Sequence, residues 1–218
     1  RPSLADDPAN IGNSFLSLAN TVNQSRFANE YKNADGSYLD WNNGNQYRLN
    51  PYWVINEMKN DTKKDRLIAS VQANYEIFSW LSLQGRVSSD QTQVDYDKYR
   101  PRTTPGALTG TLDQNTTNYN TIEADAMLSA QKQLSPSLHM SARLGSSITR
   151  NKRDGSQMQF TDQAILDVAI PTSYTVQSVS PIASKRSINS MYGLITAGYK
   201  SYLYVDATLR NDAFSTLP

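Results

Sequence analysis

The chain has 218 residues, a formal charge of +1, 38% hydrophobic residues and no cysteine, with a mean hydropathy of −0.59. These values exclude a disulfide framework and a thiol metal site, and they leave no basic footprint for a nucleic-acid partner. No run approaches the ~18 apolar residues of a spanning helix, whereas low hydropathy is normal for a β-barrel, whose inner face is polar.

Residues 9–22 place Ile11, Phe15, Leu18 and Val22 on one helical stripe behind Asp6, Asp7 and Pro8, which predicts an amphipathic helix docked on a neighbouring surface. Residues 33–47 are rich in Asn, Asp and Gly around Tyr38, Trp41 and Tyr47 and read as an irregular loop. Alternation with period two starts at residues 66–77, where Leu67, Ala69, Val71, Ala73, Tyr75 and Ile77 share one face and Ile68 is the exception. It returns at 81–93, 119–132 and 138–150, with Met127 out of phase. Phe78 and Trp80 flank the first short connection and suit a membrane-interface aromatic belt.

Residues 94–118 hold Pro101, Pro105, Gly106, Gly110 and a polar TLDQNTTN run, and predict a long exposed loop. Residues 151–186 predict a second. Short connections at 78–80, 133–137 and 200–201 alternate with these long ones, which is the rhythm of an outer-membrane barrel with short periplasmic turns and long extracellular loops. Residues 187–212 read as a hairpin closed by Lys200 and Ser201. A two-residue turn there sets Tyr199 opposite Tyr202, Gly198 opposite Leu203, Thr196 opposite Val205 and Leu194 opposite Ala207, with Met191 and Ile195 breaking the alternation.

Catalytic chemistry has little to stand on. His139 is the single histidine, so a multi-histidine metal site cannot form, and the Glu123 and Asp125 pair lacks a substrate-fixing motif. We expect no enzyme, no metal and no cofactor. Arg86, Arg143 and Arg210 fall on the inner face among Glu76, Asp90, Glu123, Asp125 and Asp206, where opposite charges would pair across strands.

Asn189, Ser190, Tyr192 and Gly193, then Gly198, Tyr199 and Lys200, then Tyr202, Leu203 and Asp206, then Arg210, Asn211, Asp212, Ser215, Thr216, Leu217 and Pro218 form a run that resembles the C-terminal part of SusC/RagA-like, TonB-linked outer-membrane transporters. The family pattern has Trp after R-N-D, where this chain carries Ala213 and Phe214. Asn50-Pro51-Tyr52-Trp53 followed by Asp65-Arg66 resembles another recurrent segment of that family.

The expectation is therefore an all-β chain: about six antiparallel strands of a transmembrane β-barrel with long extracellular loops and one loop helix. The resemblance implies that the whole barrel has about twenty-two strands with an N-terminal plug, neither plug nor TonB box lying in these residues, so that the chain reads as a piece cut at both ends. Residues 1–65 would be an extracellular loop region and residues 66–218 barrel strands. The resemblance further implies a bacterial outer-membrane location, import of oligosaccharide or peptide, a SusD-like surface lipoprotein and the TonB complex as partners, and contact with outer-membrane lipid. Tyr96, Tyr99, Arg100 and Arg102 in the first long loop, with Tyr174 in the second, are the candidate ligand-binding residues. The competing reading is a soluble or surface β-sheet module that binds carbohydrate.

Overall fold

The computed structural model describes residues 15–16, 18–165, 168–200 and 202–215. Two short helices, α1 (Gln24–Asn29) and α2 (Pro51–Asn56), precede six strands: β1 (Lys59–Phe78), β2 (Leu81–Arg100), β3 (Thr111–Ser135), β4 (Leu138–Gln163), β5 (Tyr174–Tyr199) and β6 (Leu203–Phe214). They form one antiparallel sheet in the order β1-β2-β3-β4-β5-β6, so 66–77 neighbours 81–93 and 119–132 neighbours 138–150, as the alternation predicts. Half of the helix expected at 9–22 (9–14 and 17) lies outside the described residues; of the rest, 15–16 are helical and 18–22 form turns and bends, so the helix does not extend to Val22.

The strands are far longer than the alternating stretches. β3 has 25 residues and β4 has 26, or about 80 Å at ~3.3 Å per residue. Both long connections shrink accordingly. The first is 101–110 in place of 94–118, and the second is 164–173 in place of 151–186, with a 3-10 turn at Pro171–Ser173. The physical reason is that alternation marks only the part of a strand with one apolar face. Where both faces are mostly polar, as along TLDQNTTN with Leu112 alone buried, the chain stays extended without any periodic signal.

The chain divides into two compact units. The second comprises 65–93, 117–154 and 182–218, and one face of it is apolar. One shallow groove on that face is lined by Val71, Gly85, Val87, Ala124, Ala126 and Ile148, and another by Leu128, Ala142, Leu144, Gly193, Ile195 and Leu209. The apolar stretch begins at Leu67, Val87, Ile122, Ile148, Met191 and Leu209 and runs toward the short turns. From Leu67 to Ile77 it measures about 33 Å along the strand. Val71, Leu83, Leu128, Leu144, Val205 and Leu209, expected as one outward band, are all exposed.

Aromatic rings gather at the short-turn end. Phe78 stacks on Trp80 at 5.7 Å, Tyr199 meets Tyr202 edge-on at 5.9 Å, and Lys132 and Lys200 sit over Trp80 and Tyr199 at 5.7 and 5.4 Å. An apolar ring with a cation beside it suits the boundary between hydrocarbon and water. Neighbouring turns are stitched by the backbone, Gln131 donating to the Trp80 carbonyl and Lys200 to the Ser137 carbonyl, each at 2.8 Å.

The register of the last hairpin differs by one residue from the two-residue-turn expectation. Tyr199 pairs with Leu203, Gly198 with Tyr204, Thr196 with Asp206 and Leu194 with Thr208. The loop between the strands is residues 200–202, because Lys200 takes a left-handed conformation with φ 46° and one more residue is needed to reverse the chain. A slip of one residue exchanges the faces of one strand against the other. In the observed register Met191 and Ile195 join Leu203, Val205, Ala207 and Leu209 on the apolar face, so the two apparent exceptions are in phase. Cysteines at Thr196 and Asp206 are therefore expected to cross-link on oxidation, whereas cysteines at Thr196 and Val205 should not. A thiol-trapping gel on the refolded or membrane-inserted protein distinguishes the two.

Candidate functional site

On the opposite face of the second unit the charges close on one another. The Arg86 guanidinium donates to Asp125 at 2.8 and 2.9 Å, Arg66 donates to Asp90 through two bonds of 2.9 and 2.5 Å, and Thr196 donates to Asp206 at 2.6 Å. Arg210 reaches Asp212 at 3.0 Å and Ser190 at 3.4 Å. Cross-strand pairing on the inner face was expected for Arg86; Arg66 enters the same scheme, its partner being 24 residues away. Tyr192 lies across Gly145 so closely that a Cβ there would collide with the ring. A strand glycine here gives the aromatic side chain its place on the neighbouring strand.

The first unit, 1–64, 94–116 and 155–181, holds the candidate ligand-binding residues. Its packing starts from Asn50-Pro51-Tyr52-Trp53. The Asn50 side chain accepts from the Tyr52 N–H at 3.0 Å and Pro51 occupies the first turn, so the segment starts α2 by capping. Trp53 is then fully buried with Tyr38, Leu49 and Val54. Its indole N–H donates to Thr104 at 3.1 Å, and the Thr103 hydroxyl accepts from the Tyr38 N–H at 2.7 Å. Those bonds hold the 101–110 connection against the helix. Burial raises the Tyr38 phenol above its ordinary range, and its oxygen accepts from the Asn50 N–H at 3.0 Å.

A second cluster joins Tyr99, Leu112, Phe160 and Tyr174, with Met158 against it. Gln163 ties this cluster to both long connections. Its amide nitrogen donates to the Tyr99 oxygen and to the Val168 carbonyl, each at 3.1 Å, its amide oxygen accepts from the Arg102 N–H at 3.3 Å, and its own N–H donates to Thr109 at 2.7 Å. Gly110, at φ 77°, leaves the space that Gln163 fills, since a Cβ would come within 2.7 Å of the amide oxygen. Burial, then the nearby Tyr99, pushes the Tyr174 phenol well above its ordinary range.

The five candidates therefore do not share a loop. Tyr96, Tyr99 and Arg100 are on β2, Arg102 is in the 101–110 connection, and Tyr174 is the first residue of β5. Tyr99 and Tyr174 come together, but with buried rings. Arg102 is exposed and donates to the Ala164 carbonyl at 3.5 Å. Arg100 is half-buried. Tyr96 lines a pocket of about 510 Å³ with Asp61, Lys63, Asp97, Gln114 and Met158. Two of its acids are held in place, Asp97 accepting from Gln114 at 3.1 Å and Asp95 from Thr116 at 2.8 Å. Sequence reasoning missed Gln163, Thr104 and this carboxylate pair. Asp95-x-Asp97 on an extended chain puts both acids on one face, the one available hint. Among the described residues no cluster of His, Asp and Glu could hold a metal ion.

An antiparallel six-stranded sheet whose second unit has one apolar face, ion pairs on the opposite face and aromatic rings at its short turns has the fold of a segment of an outer-membrane type β-barrel. No protein-family model and no curated sequence matches this chain. Solved structures do. A structure of the RagAB peptide transporter matches with a TM-score of 0.71 and 12% identity over 78% of this chain and 20% of that one. The RagAB peptide importer in its closed-closed and open-open states matches with a TM-score of 0.64 and 14% identity over 77% of this chain and 19% of that one. The chain thus spans about a fifth of the length of the transporter chains it matches, and its fold is that of a segment of a SusC/RagA-like barrel, as the motifs at 189–218 imply.

Loss of the Gln163 amide leaves the buried Tyr99 hydroxyl and the Arg102 N–H without their partner, which costs about 1–3 kcal/mol. Gln163→Ala is expected to speed proteolytic cutting within 101–110 and 164–173 while leaving 65–93 and 117–154 protected, as read by limited proteolysis with mass spectrometry.

Proposed function

We propose that this chain forms part of the barrel wall of a TonB-dependent importer in the bacterial outer membrane, one that takes up peptide or oligosaccharide together with a SusD-like surface lipoprotein. The observation that carries the reading is the exposed apolar face, about ten residues long on each strand, as a tilted membrane-spanning strand requires, set against an opposite face that bears ion pairs. Similarity to the RagAB peptide transporter supports import as the activity and peptide as the first cargo to test. In this reading β1 and β6 pair with further strands, because an open edge is not tolerated in hydrocarbon. The protein has no catalytic role: transport needs a ligand held weakly and released.

Within that function the residues divide by burial. Tyr96, Arg100 and Arg102 present polar and aromatic groups to cargo, beside carboxylates that suit the cationic groups of a peptide. Tyr99 and Tyr174, with their rings packed inside, shape the surface from behind. Simultaneous replacement of Tyr96, Tyr99 and Arg100 would mix the two roles, so the test separates them. In the full-length transporter, Tyr96→Ala with Arg102→Ala should reduce uptake of labelled peptide at least several-fold at unchanged surface level, whereas Tyr99→Ala should lower the heat stability of the folded barrel on a gel. Normal uptake by the first variant would remove that surface from the binding site. A wild-type protein that is monomeric in buffer without detergent would overturn the membrane reading and favour the carbohydrate-binding module.

A further inference from the structure

We propose that Arg150, Lys152 and Lys185, lying just beyond the apolar band, form a docking site for the phosphate group of a membrane lipid. The inference rests on the membrane reading above. These three cations and Arg186, whose guanidinium lies over the Phe214 ring at 5.6 Å, line a pocket of about 550 Å³ with Asn120, Ile122 and Ser187. Arg150 and Lys152 continue the series Leu144 and Ile148 along one face of β4, two and four residues past Ile148, or about 7 and 13 Å along the strand. Ile122 stands at the same edge of the band on β3. Cations at that level keep their stems against the hydrocarbon while the charge reaches the headgroup layer.

The charge of this pocket is not balanced from within. Lys152 is bridged to Asp154 at 2.9 Å, as Lys59 is to Asp61 at 3.4 Å further along the sheet. Arg150 and Lys185 have no ion-pair partner among the described residues, and both are exposed. Two open cations beside an isoleucine, in a chain whose net charge is only +1, match a ligand that is anionic at one end and apolar at the other. A lipid phosphate accepts two bonds from the Arg150 guanidinium and further ones from Lys185 and Ser187, while its chains lie along the band below Ile122. A free phosphate ion would gain nothing from that apolar continuation, which is why the occupant assigned here is a lipid.

Native mass spectrometry of the detergent-solubilised full-length transporter tests this with phosphatidic acid and diacylglycerol, which differ by the phosphate alone, and with inorganic phosphate as competitor. Wild type should retain phosphatidic acid over diacylglycerol, and R150Q/K185Q should cut that preference roughly tenfold while leaving diacylglycerol retention as it was; the charge-keeping R150K/K185R should hold most of it. Equal retention of the two lipids by wild type, an unchanged preference in R150Q/K185Q, or displacement by millimolar inorganic phosphate overturns the proposal with the barrel reading intact. A protein that needs no detergent and retains neither lipid overturns both.

Discussion

Every N–H and C=O that a chain carries through hydrocarbon must find its partner in protein, because an unpaired group there costs several kcal/mol and water is absent. In the second unit the backbone is paired throughout by strands laid side by side, and most other features follow. Once the backbone is paired between strands, alternate side chains must leave opposite faces. One face then takes Leu, Val, Ile, Ala and Gly, and the other takes Arg, Asp, Gln, Ser and Thr. The low mean hydropathy of −0.59 is a consequence, since only one face of each of these strands is apolar. The ion pairs of the polar face are second-order by comparison. Arg86 and Asp125 keep 50% and 18% of their side-chain surface exposed, and pairs of that kind contribute about 0–1 kcal/mol. Their value is that the Arg66–Asp90 and Arg86–Asp125 pairs favour the observed strand register over a shifted one.

How much of this was legible in the sequence follows from the same constraint. Leu67, Ala69, Val71 and their counterparts on the next three strands alternate because one face of each strand is apolar and the other polar, so strand order and the outward band were readable. The lengths of β2 to β5 were not. Beyond Val87, Ile122 and Ile148 the apolar alternation stops, and a strand such as 111–118, with Leu112 its one apolar residue, has the composition of a loop. Register was half legible. Met191 and Ile195 looked like errors under a two-residue turn, yet they are in phase once the loop has three residues, and apolar residues out of step on one arm of a hairpin are themselves a sign of a shifted register.

The candidate site was less legible, for a reason that Tyr99 and Tyr174 illustrate. Aromatic residues near connections suggest a ligand surface, but the polar ends of long strands have few apolar residues with which to make a core. The first unit therefore makes its two small cores from rings, one around Trp53 and Tyr38 and one around Phe160 and Tyr174. Residue type cannot separate the uses. Burial can, and so can bonding: a glutamine that is 1% exposed and holds Tyr99, Arg102, Thr109 and Val168 together is a structural clamp with no sequence signature, because its partners come from both connections.

The period of two also decides what a single strand can do for a ligand. Tyr96 and Tyr99 are three apart on β2 and so leave opposite faces, whereas Tyr96 and Arg100 are four apart and share one. A strand that continues past the lipid band can therefore carry a binding residue and its structural support on alternate positions. Rigid presentation of this kind lowers the ordering entropy lost on binding compared with a flexible loop. It also limits adaptability, because a rigidly held surface cannot repack around ligands of different shape.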